Sequence, residues 1–233
     1  MTTLQSMTSE VAAQDARATA GAQAEFGFQL SLQRSEIARA GLLMKVLLVA
    51  LGLALVRSAA GGTVMTGKTL YATLLVLLVS LVYVGTIRMV TRQMTEQQQL
   101  LPSWFWYIST FIEVLIPTSL ICVGMIFSSL DDVVATHGPS MLLYLVLAIL
   151  SILRLRPVLC IWGGLLASGS HIALVTVALS NTEQVIERGM YPRLYSYAVF
   201  MLLGWMCAAF VAEHVLRHAR TGFRNASAPS TMA

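Results

Sequence analysis

The chain has 233 residues, of which 57% are hydrophobic and only 11% are charged, whereas soluble domains carry roughly 25% charged residues. A soluble protein of this length has too small an interior to bury so much apolar surface, so the composition predicts an integral membrane protein with the lipid bilayer as its main partner. The net charge of +4 comes from dispersed Lys and Arg, which argues against a nucleic-acid partner.

The first 40 residues fall into two parts. Residues 1–25 are rich in Ala, Gln, Thr and Ser, a composition that predicts a disordered tail. Over 26–40, apolar residues such as Phe26, Leu30 and Ile37 recur at helical spacing, which predicts an amphipathic lead-in helix continuous with the first span. We interpret it as a helix lying at the membrane surface, with partner binding as the alternative.

The remaining chain predicts an all-α integral membrane protein, a bundle of six transmembrane helices over 41–220, followed by a flexible C-terminal tail over 221–233. The fourth apolar stretch is short, because about 20 residues are needed to cross about 30 Å of hydrocarbon. It crosses only if Arg154 and Arg156 reach back to the headgroups, and a re-entrant segment is the alternative. The six predicted spans are 41–60, 70–90, 104–127, 140–156, 158–180 and 194–216.

The basic residues predict that both termini are cytoplasmic and that the protein is multi-pass in the cell inner membrane or plasma membrane. With that orientation ten Lys and Arg flank the spans on the inside and four on the outside, Lys45 within the first span left uncounted. The inside set is Arg17, Arg34, Arg39, Arg88, Arg92, Arg154, Arg156, Arg217, Arg220 and Arg224, and the outside set is Arg57, Lys68, Arg188 and Arg193.

Two ionisable residues fall near the middle of predicted spans, where a charge costs at least about 2.5–3.5 kcal/mol. Glu113 lies in the third span and His171 in the fifth, and counting 1.5 Å per residue brings them to similar depths. Pro117 removes the backbone donor that would bond the carbonyl of Glu113. The three residues predict a ligand-binding or proton-sensing site, with a structural interhelical hydrogen bond as the alternative.

A second polar group is predicted at the inner rim of the bundle. Lys45 and Glu213 lie at similar depths and could pair, and Arg154 lies nearby, so these three are candidates for coupling to the cytoplasm. Snorkelling to the headgroups is the alternative interpretation.

The sequence predicts no metal, no cofactor and no catalytic residue. His171 and His214 differ in depth, which disfavours a bis-histidine haem site. Asp131, Asp132 and His137 in one outer loop are a weak divalent-cation pattern. Phosphate-loop, nucleophile-elbow and zinc-helix motifs of known enzyme classes do not occur in the sequence.

Four segments resemble the six-helix membrane domain of bacterial class III adenylate/guanylate cyclases, related forms of which precede histidine kinases and diguanylate cyclases. They are Leu32-Gln33-Arg34-Ser35-Glu36-Ile37-Ala38-Arg39, Phe111-Ile112-Glu113 followed by Ile116-Pro117-Thr118, Leu150-Ser151-Ile152-Leu153-Arg154-Leu155, and Val211-Ala212-Glu213-His214.

The resemblance implies a sensory or regulatory membrane domain, working as a homodimer, whose last helix passes a signal to a cytoplasmic catalytic domain. The sequence holds no cyclase catalytic domain, so we expect either a fragment of a longer protein or a stand-alone relative acting on a signalling domain in trans. With short outer loops, a lipophilic or small-molecule ligand would enter the bundle itself. A small transporter or channel that uses Glu113 and His171, or a structural subunit of a membrane complex, are the alternatives.

The last span keeps a helical composition past its apolar part, through Arg217 to Arg220. A helix that leaves the membrane without a stop can transmit a rotation or shift to a cytoplasmic domain attached to it. We therefore expect its inner half to be the output element, with Gly204 and Ala208 forming a small-residue contact between two copies.

Overall fold

A computed structural model describes residues 2–59, 67–127, 140–181 and 190–227. Over these residues the chain is all helical and forms six helices. They are α1 Thr2–Ala59, α2 Gly67–Glu96, α3 Ser103–Phe127, α4 Ser140–Ile152, α5 Pro157–Asn181 and α6 Met190–Ser227.

Five of these helices are long and apolar enough to cross a membrane, which confirms a multi-helix membrane protein. The exception is α4, whose 13 residues extend about 20 Å at 1.5 Å per residue. Six crossings, and the side on which each end lies, stay predictions.

Helix α4 contacts α1, α3, α5 and α6, while α2 packs against α1 and α3. Tyr144 and Leu147 of α4 join a core that includes Leu47 of α1, Leu77 of α2 and Ala167 of α5. The outward faces of the helices remain apolar, as lipid requires. Examples are Leu53, Leu75, Val82, Leu142, Leu165, Phe200 and Phe210.

Side-chain bonds bring three parts of the chain to one end of the bundle. Gln33 of α1 donates to the carbonyl of Gln99 (3.2 Å), and Ser35 donates to that of Leu153 (2.9 Å). Arg220 of α6 forms an ion pair with Glu25 of α1 at 3.1 Å. We call this end, defined by residues 97–102, 153–156 and 217–220, the basic end.

The lead-in segment differs from the sequence interpretation. It is continuous with the first span, as expected, but its polar residues Gln33, Glu36 and Arg39 are buried against the bundle. A helix lying at the membrane surface would turn them toward the headgroups. Since they have partners inside the protein, burial of this face is possible here.

Helix extends into both segments that were predicted as tails. The backbone of residues 2–25 is helical, and α6 continues to Ser227, whereas residues 228–233 of the predicted C-terminal tail lie outside the described residues. Ala and Gln are good helix formers, so the composition that suggested a tail also permits a helix. Mobility of either segment stays a prediction.

The α5–α6 contact depends on two glycines. A Cβ on Gly163 would overlap the ring of Trp205, and one on Gly164 would lie 2.6 Å from the Trp205 Cβ. The indole therefore packs directly on the α5 backbone. Ala208, one turn further along α6, is 4% exposed within this chain. Ala208 is thus covered within the chain, whereas the Cβ position of Gly204 meets no atom within 4 Å, and the Gly204–Ala208 contact with a second copy stays a prediction.

Candidate functional site

Two charged residues of α1 point into the bundle because they share a stripe with core leucines. Leu32, Glu36, Arg39 and Leu43 are spaced by four, three and four residues, so they lie on one helix face. All four are buried. Nε of Arg39 donates to Oε2 of Glu36 at 2.8 Å.

The same arginine binds Glu113 of α3 with both terminal nitrogens. Nη1 of Arg39 donates to Oε2 of Glu113 at 2.9 Å, and Nη2 donates to Oε1 at 2.7 Å. Ser109, one turn earlier on α3, donates to Oε1 at 3.1 Å. A planar guanidinium matches a carboxylate in this two-pronged geometry, which fixes the spacing of α1 and α3.

Arg154 enters the cluster from the turn between α4 and α5. Its Nη2 donates to Oε1 of Glu113 at 2.8 Å and to Ser109 Oγ at 3.3 Å. Its Nη1 donates to the hydroxyl of Thr110 and to the carbonyl of Trp106. Arg154 is 1% exposed, so it does not snorkel to the headgroups, which was the alternative interpretation of the inner-rim group and a condition for the fourth stretch to cross. The interior offers it two carboxylates, which compensate the loss of water.

The turn that delivers Arg154 has an unusual backbone. The amides of Leu153, Arg154 and Leu155 donate to carbonyls three residues earlier, which tightens the end of α4. Leu155 then has φ 51°, in the left-handed region that a leucine rarely adopts. Because the chain turns sharply at Leu155, α5 begins at Pro157 while the Arg154 side chain remains inside the bundle.

The resulting cluster consists of Glu36, Arg39, Glu113 and Arg154, and we call it the charge cluster. Two carboxylates and two guanidiniums sum to zero, so no net charge is buried. One contact is loose: Nε of Arg154 lies 3.5 Å from Oε1 of Glu36, and neither atom has a hydrogen-bond partner among the described residues.

Gln33 links the part of α1 beside the charge cluster to the α2–α3 connection. Its side-chain amide donates to the carbonyl of Gln99, and its Oε1 accepts from the amide of Leu101 at 3.3 Å. The charge cluster and Gln33 thus join α1, the α2–α3 connection, α3 and the α4–α5 turn.

The structure gives Glu113 and His171 different partners. Glu113 lies ten residues into α3, about 15 Å at 1.5 Å per residue, and is bound by Arg39 and Arg154. His171 lies 14 residues into α5, about 21 Å from the start of that helix. His171 is buried, and its ring is edge-on to that of Tyr197 with centroids 6.3 Å apart. The structure therefore pairs Glu113 with arginines.

Pro117 is buried inside α3, which continues through it to Phe127. The next residue, Thr118, donates to the carbonyl of Val114 at 2.8 Å and hydrogen-bonds the hydroxyl of Tyr144 at 2.6 Å. Pro117 cannot donate a backbone hydrogen bond, and the residue after it joins α3 to α4 through a side-chain hydrogen bond.

The inner-rim candidates are not brought together. Lys45 is exposed, and Glu213 forms an ion pair with Arg217 four residues later on α6. Asp131, Asp132 and His137 lie outside the described residues. Within the described ranges no group of three or more His, Cys, Asp or Glu side chains could hold a metal ion.

Sequence reasoning missed Glu36, Arg39, Ser109 and Thr110 as members of the site. A signal was present, since Glu36 and Arg39 occupy core positions of the α1 stripe and Ser109 lies one turn from Glu113. Nothing in the α4 sequence indicates whether Arg154 points in or out, because that direction is set by the turn.

Comparisons with protein-family models, curated proteins and solved structures found no match.

Proposed function

We propose that this chain is a membrane-embedded sensory or regulatory domain that passes a signal through its last helix to a cytoplasmic output of nucleotide-cyclase type. The observation that carries the proposal is the charge cluster, which joins three elements beside the end where α1 and α6 extend together. A change in the cluster would alter the relative positions of these elements.

The segments that resemble cyclase membrane domains supply this cluster. Glu36 and Arg39 belong to the first of them, Glu113 to the second and Arg154 to the third. Glu113 thus meets Arg39, which lies 74 residues earlier in the chain, and Arg154, which lies 41 residues later. This convergence supports a shared role for the segments, and we extend the resemblance to the function on that basis.

The arrangement of charges is suited to two states. Glu113 Oε1 accepts from both arginines and from Ser109, while Glu36 Oε1 accepts from no described residue. In this proposal, a small shift of the α4–α5 turn brings Arg154 Nε into bonding distance of Glu36 and changes the geometry of the Nη2 bond to Glu113. Bistable elements of this kind convert sub-ångström changes into helix movements.

The output element in this proposal is the part of α6 beyond the membrane. It lies against α1 through the Glu25–Arg220 ion pair and through Arg220, whose guanidinium is 5.4 Å from the Phe28 ring centroid. Because α6 continues as a helix to Ser227, a rotation at the basic end would reach an output domain joined to its C-terminal end.

The transporter or channel alternative requires Glu113 and His171 on one path. No observation in the described residues favours it, since two guanidiniums hold Glu113. Uptake of a substrate into proteoliposomes would be the evidence for it. The structural-subunit alternative predicts a constant partner complex on purification from native membranes.

The first test fuses a class III cyclase catalytic domain after Arg220 and inserts one to four alanines at the junction. We expect cyclase activity to vary with the helical phase of the insertion, by 100° per residue. Glycine–serine insertions of equal length are the control, because they interrupt the helix and should remove the periodicity. Equal activity at every alanine length would contradict the proposal.

The second test connects the charge cluster to the output. Thr110→Val removes the hydroxyl that accepts from Arg154 and changes neither shape nor charge. We expect it to shift the basal activity of the fusion several-fold with little change in the amount of folded protein. Thr86→Val is the matched control, because exposed Thr86 bonds only the Val82 carbonyl of its own helix. If Thr110→Val and Thr86→Val changed the basal cyclase activity equally, the charge cluster would have no part in signalling.

A further inference from the structure

A cleft of about 310 Å³ opens at the basic end between α1, α3, the start of α5 and α6. Its walls are mainly apolar, with Phe28 and Leu32 on one side and Val158 on another. Two guanidiniums, those of Arg156 and Arg220, also line it. It is separate from the charge cluster, whose arginines are Arg39 and Arg154.

Each of the two arginines is held against an aromatic ring at the cleft. The guanidinium of Arg156 is 5.2 Å from the centroid of the Trp106 ring, and that of Arg220 is 5.4 Å from the centroid of Phe28. Such stacking orients a guanidinium while leaving its N–H groups at the edge available to an acceptor. Arg220 shares one nitrogen with Glu25, whereas Arg156 forms no ion pair with a described carboxylate.

The start of α5 adds to the positive potential. Residues 155–159 line the cleft, and the helix begins there at Pro157. The N-terminus of a 25-residue helix carries a partial positive charge from the helix dipole. Pro157 has no N–H and the amides of Leu159 and Cys160 donate to the carbonyl of Arg156, so the amide of Val158 is the donor left for a ligand in the first turn. The cleft therefore combines two fixed cations with a helix terminus, which is the chemistry that recognises a phosphate group.

An exposed apolar row continues from the cleft along the outside of α5. It consists of Val158, Ile161, Trp162 and Leu165, which recur at helical spacing and are 38–60% exposed. Tyr107, which also lines the cleft, meets Trp162 ring-to-edge with centroids 6.3 Å apart. A phosphate bound between the arginines would thus lie at the head of a path that fits an acyl chain.

We infer that this cleft binds the phosphate headgroup of an anionic phospholipid from the leaflet at the basic end, between Arg156 and Arg220, with an acyl chain along the exposed row of α5. Basic pockets between transmembrane helices are a known means of holding such lipids. The inference is independent of any signalling role, since it depends only on the cleft and its charges.

The test is native mass spectrometry of the full chain, purified in detergent and titrated with equal amounts of phosphatidylglycerol and phosphatidylcholine. We expect wild-type protein to prefer phosphatidylglycerol at least tenfold. Arg156→Gln and Arg220→Gln should each reduce that preference about tenfold. Arg156→Lys, which keeps the charge but not the planar group stacked on Trp106, should give an intermediate preference. The matched control is Arg92→Gln at the same end, where Arg92 is exposed and paired with Glu96, and its preference should stay within twofold of wild type.

Three outcomes would overturn the inference. The first is equal binding of the two lipids by wild-type protein, and the second is an equal loss in the Arg92→Gln control. The third is displacement of phosphatidylglycerol by millimolar inorganic phosphate, which would assign the cleft to a free anion. Elution volume in size-exclusion chromatography verifies folding, and if Arg156→Gln fails to fold, the half-exposed Arg220→Gln still decides the result.

Discussion

Glu113 shows how one carboxylate can determine the arrangement of a membrane interior. It accepts hydrogen bonds from Arg39, Arg154 and Ser109, and it is 5% exposed. A single charge at such a site would be costly, whereas a neutral group of four satisfies most of its donors and acceptors. The energetic consequence of removing one member can therefore be predicted.

We expect Glu113→Gln to destabilise the folded chain by roughly 3–5 kcal/mol, because it leaves two buried guanidiniums facing one carboxylate. The double variant Glu113→Gln with Arg39→Gln restores neutrality. The double variant should lose less free energy of unfolding than the sum of the losses in the two single variants, by roughly 0.5–3 kcal/mol. The measurement is the free energy of unfolding in mixed micelles of SDS and a mild detergent.

Arg92→Gln is the control for that experiment. Arg92 and Glu96 form an ion pair with both side chains more than 60% exposed, so its removal should change the free energy of unfolding by less than about 1 kcal/mol. Strict additivity of the Glu113 and Arg39 changes would show that the two residues are not energetically coupled.

At the scale of single elements, the end of α2 carries backbone strain at an accessible position. The amide of Gln99 donates to the carbonyl of Met94 and that of Gln98 to the carbonyl of Thr95, which together form a Schellman motif. This motif places Gln98 at φ 55°, where glycine is favoured.

We expect Gln98→Gly to stabilise the chain by about 1 kcal/mol, because glycine adopts this conformation without steric cost. Gln97→Gly is the matched control, since Gln97 is equally exposed and has no positive φ. It should give no gain, because glycine there only increases the entropy of the unfolded chain. The free energy of unfolding of both variants is measured in mixed micelles. An increase in Gln97→Gly would contradict the explanation.

The α5–α6 contact gives a second prediction at this scale. Gly164→Ala should destabilise the bundle by roughly 1–3 kcal/mol, because the added methyl overlaps the Trp205 side chain. Gly169→Ala on the same helix should be neutral or stabilising, since its Cβ meets no atom within 4 Å and alanine is the better helix former. The two variants are compared by their melting temperatures in detergent. Equal melting temperatures would mean that the Trp205 side chain moves aside without cost.

At the scale of the whole molecule, the directions of the helices are linked to the membrane sides. The Glu25–Arg220 ion pair places the lead-in part of α1 and the end of α6 together, and most flanking Lys and Arg lie in segments near that end. We therefore expect the basic end to be cytoplasmic.

Single cysteines introduced into a cysteine-free background measure this orientation. Ala135→Cys and Thr182→Cys should react with an impermeant thiol reagent added to intact cells, and Gln98→Cys and Ala226→Cys should react only after lysis. The native Cys122, Cys160 and Cys207 are replaced first, because Cys207 is exposed. External labelling at Ala226 would place the C-terminus outside and show that α4 does not cross.

The sequence alone determined that this is a helical membrane protein, because apolar stretches of about 20 residues admit few other structures. It also marked Glu113, since any carboxylate in such a stretch needs a partner. Five of the six spans correspond to helices of sufficient length and apolarity. These features depend on local composition and are therefore readable along the chain.

Only the tertiary structure decided which residues partner Glu113. His171 was a reasonable expectation from depth, but Arg154 reaches Glu113 because α4 is short and the turn at Leu155 folds the arginine inward. Arg39 reaches it because α1 turns its polar residues toward the bundle. Distances between segments far apart in the chain depend on how helices pack and where turns end, and residue spacing within one helix carries no information about either.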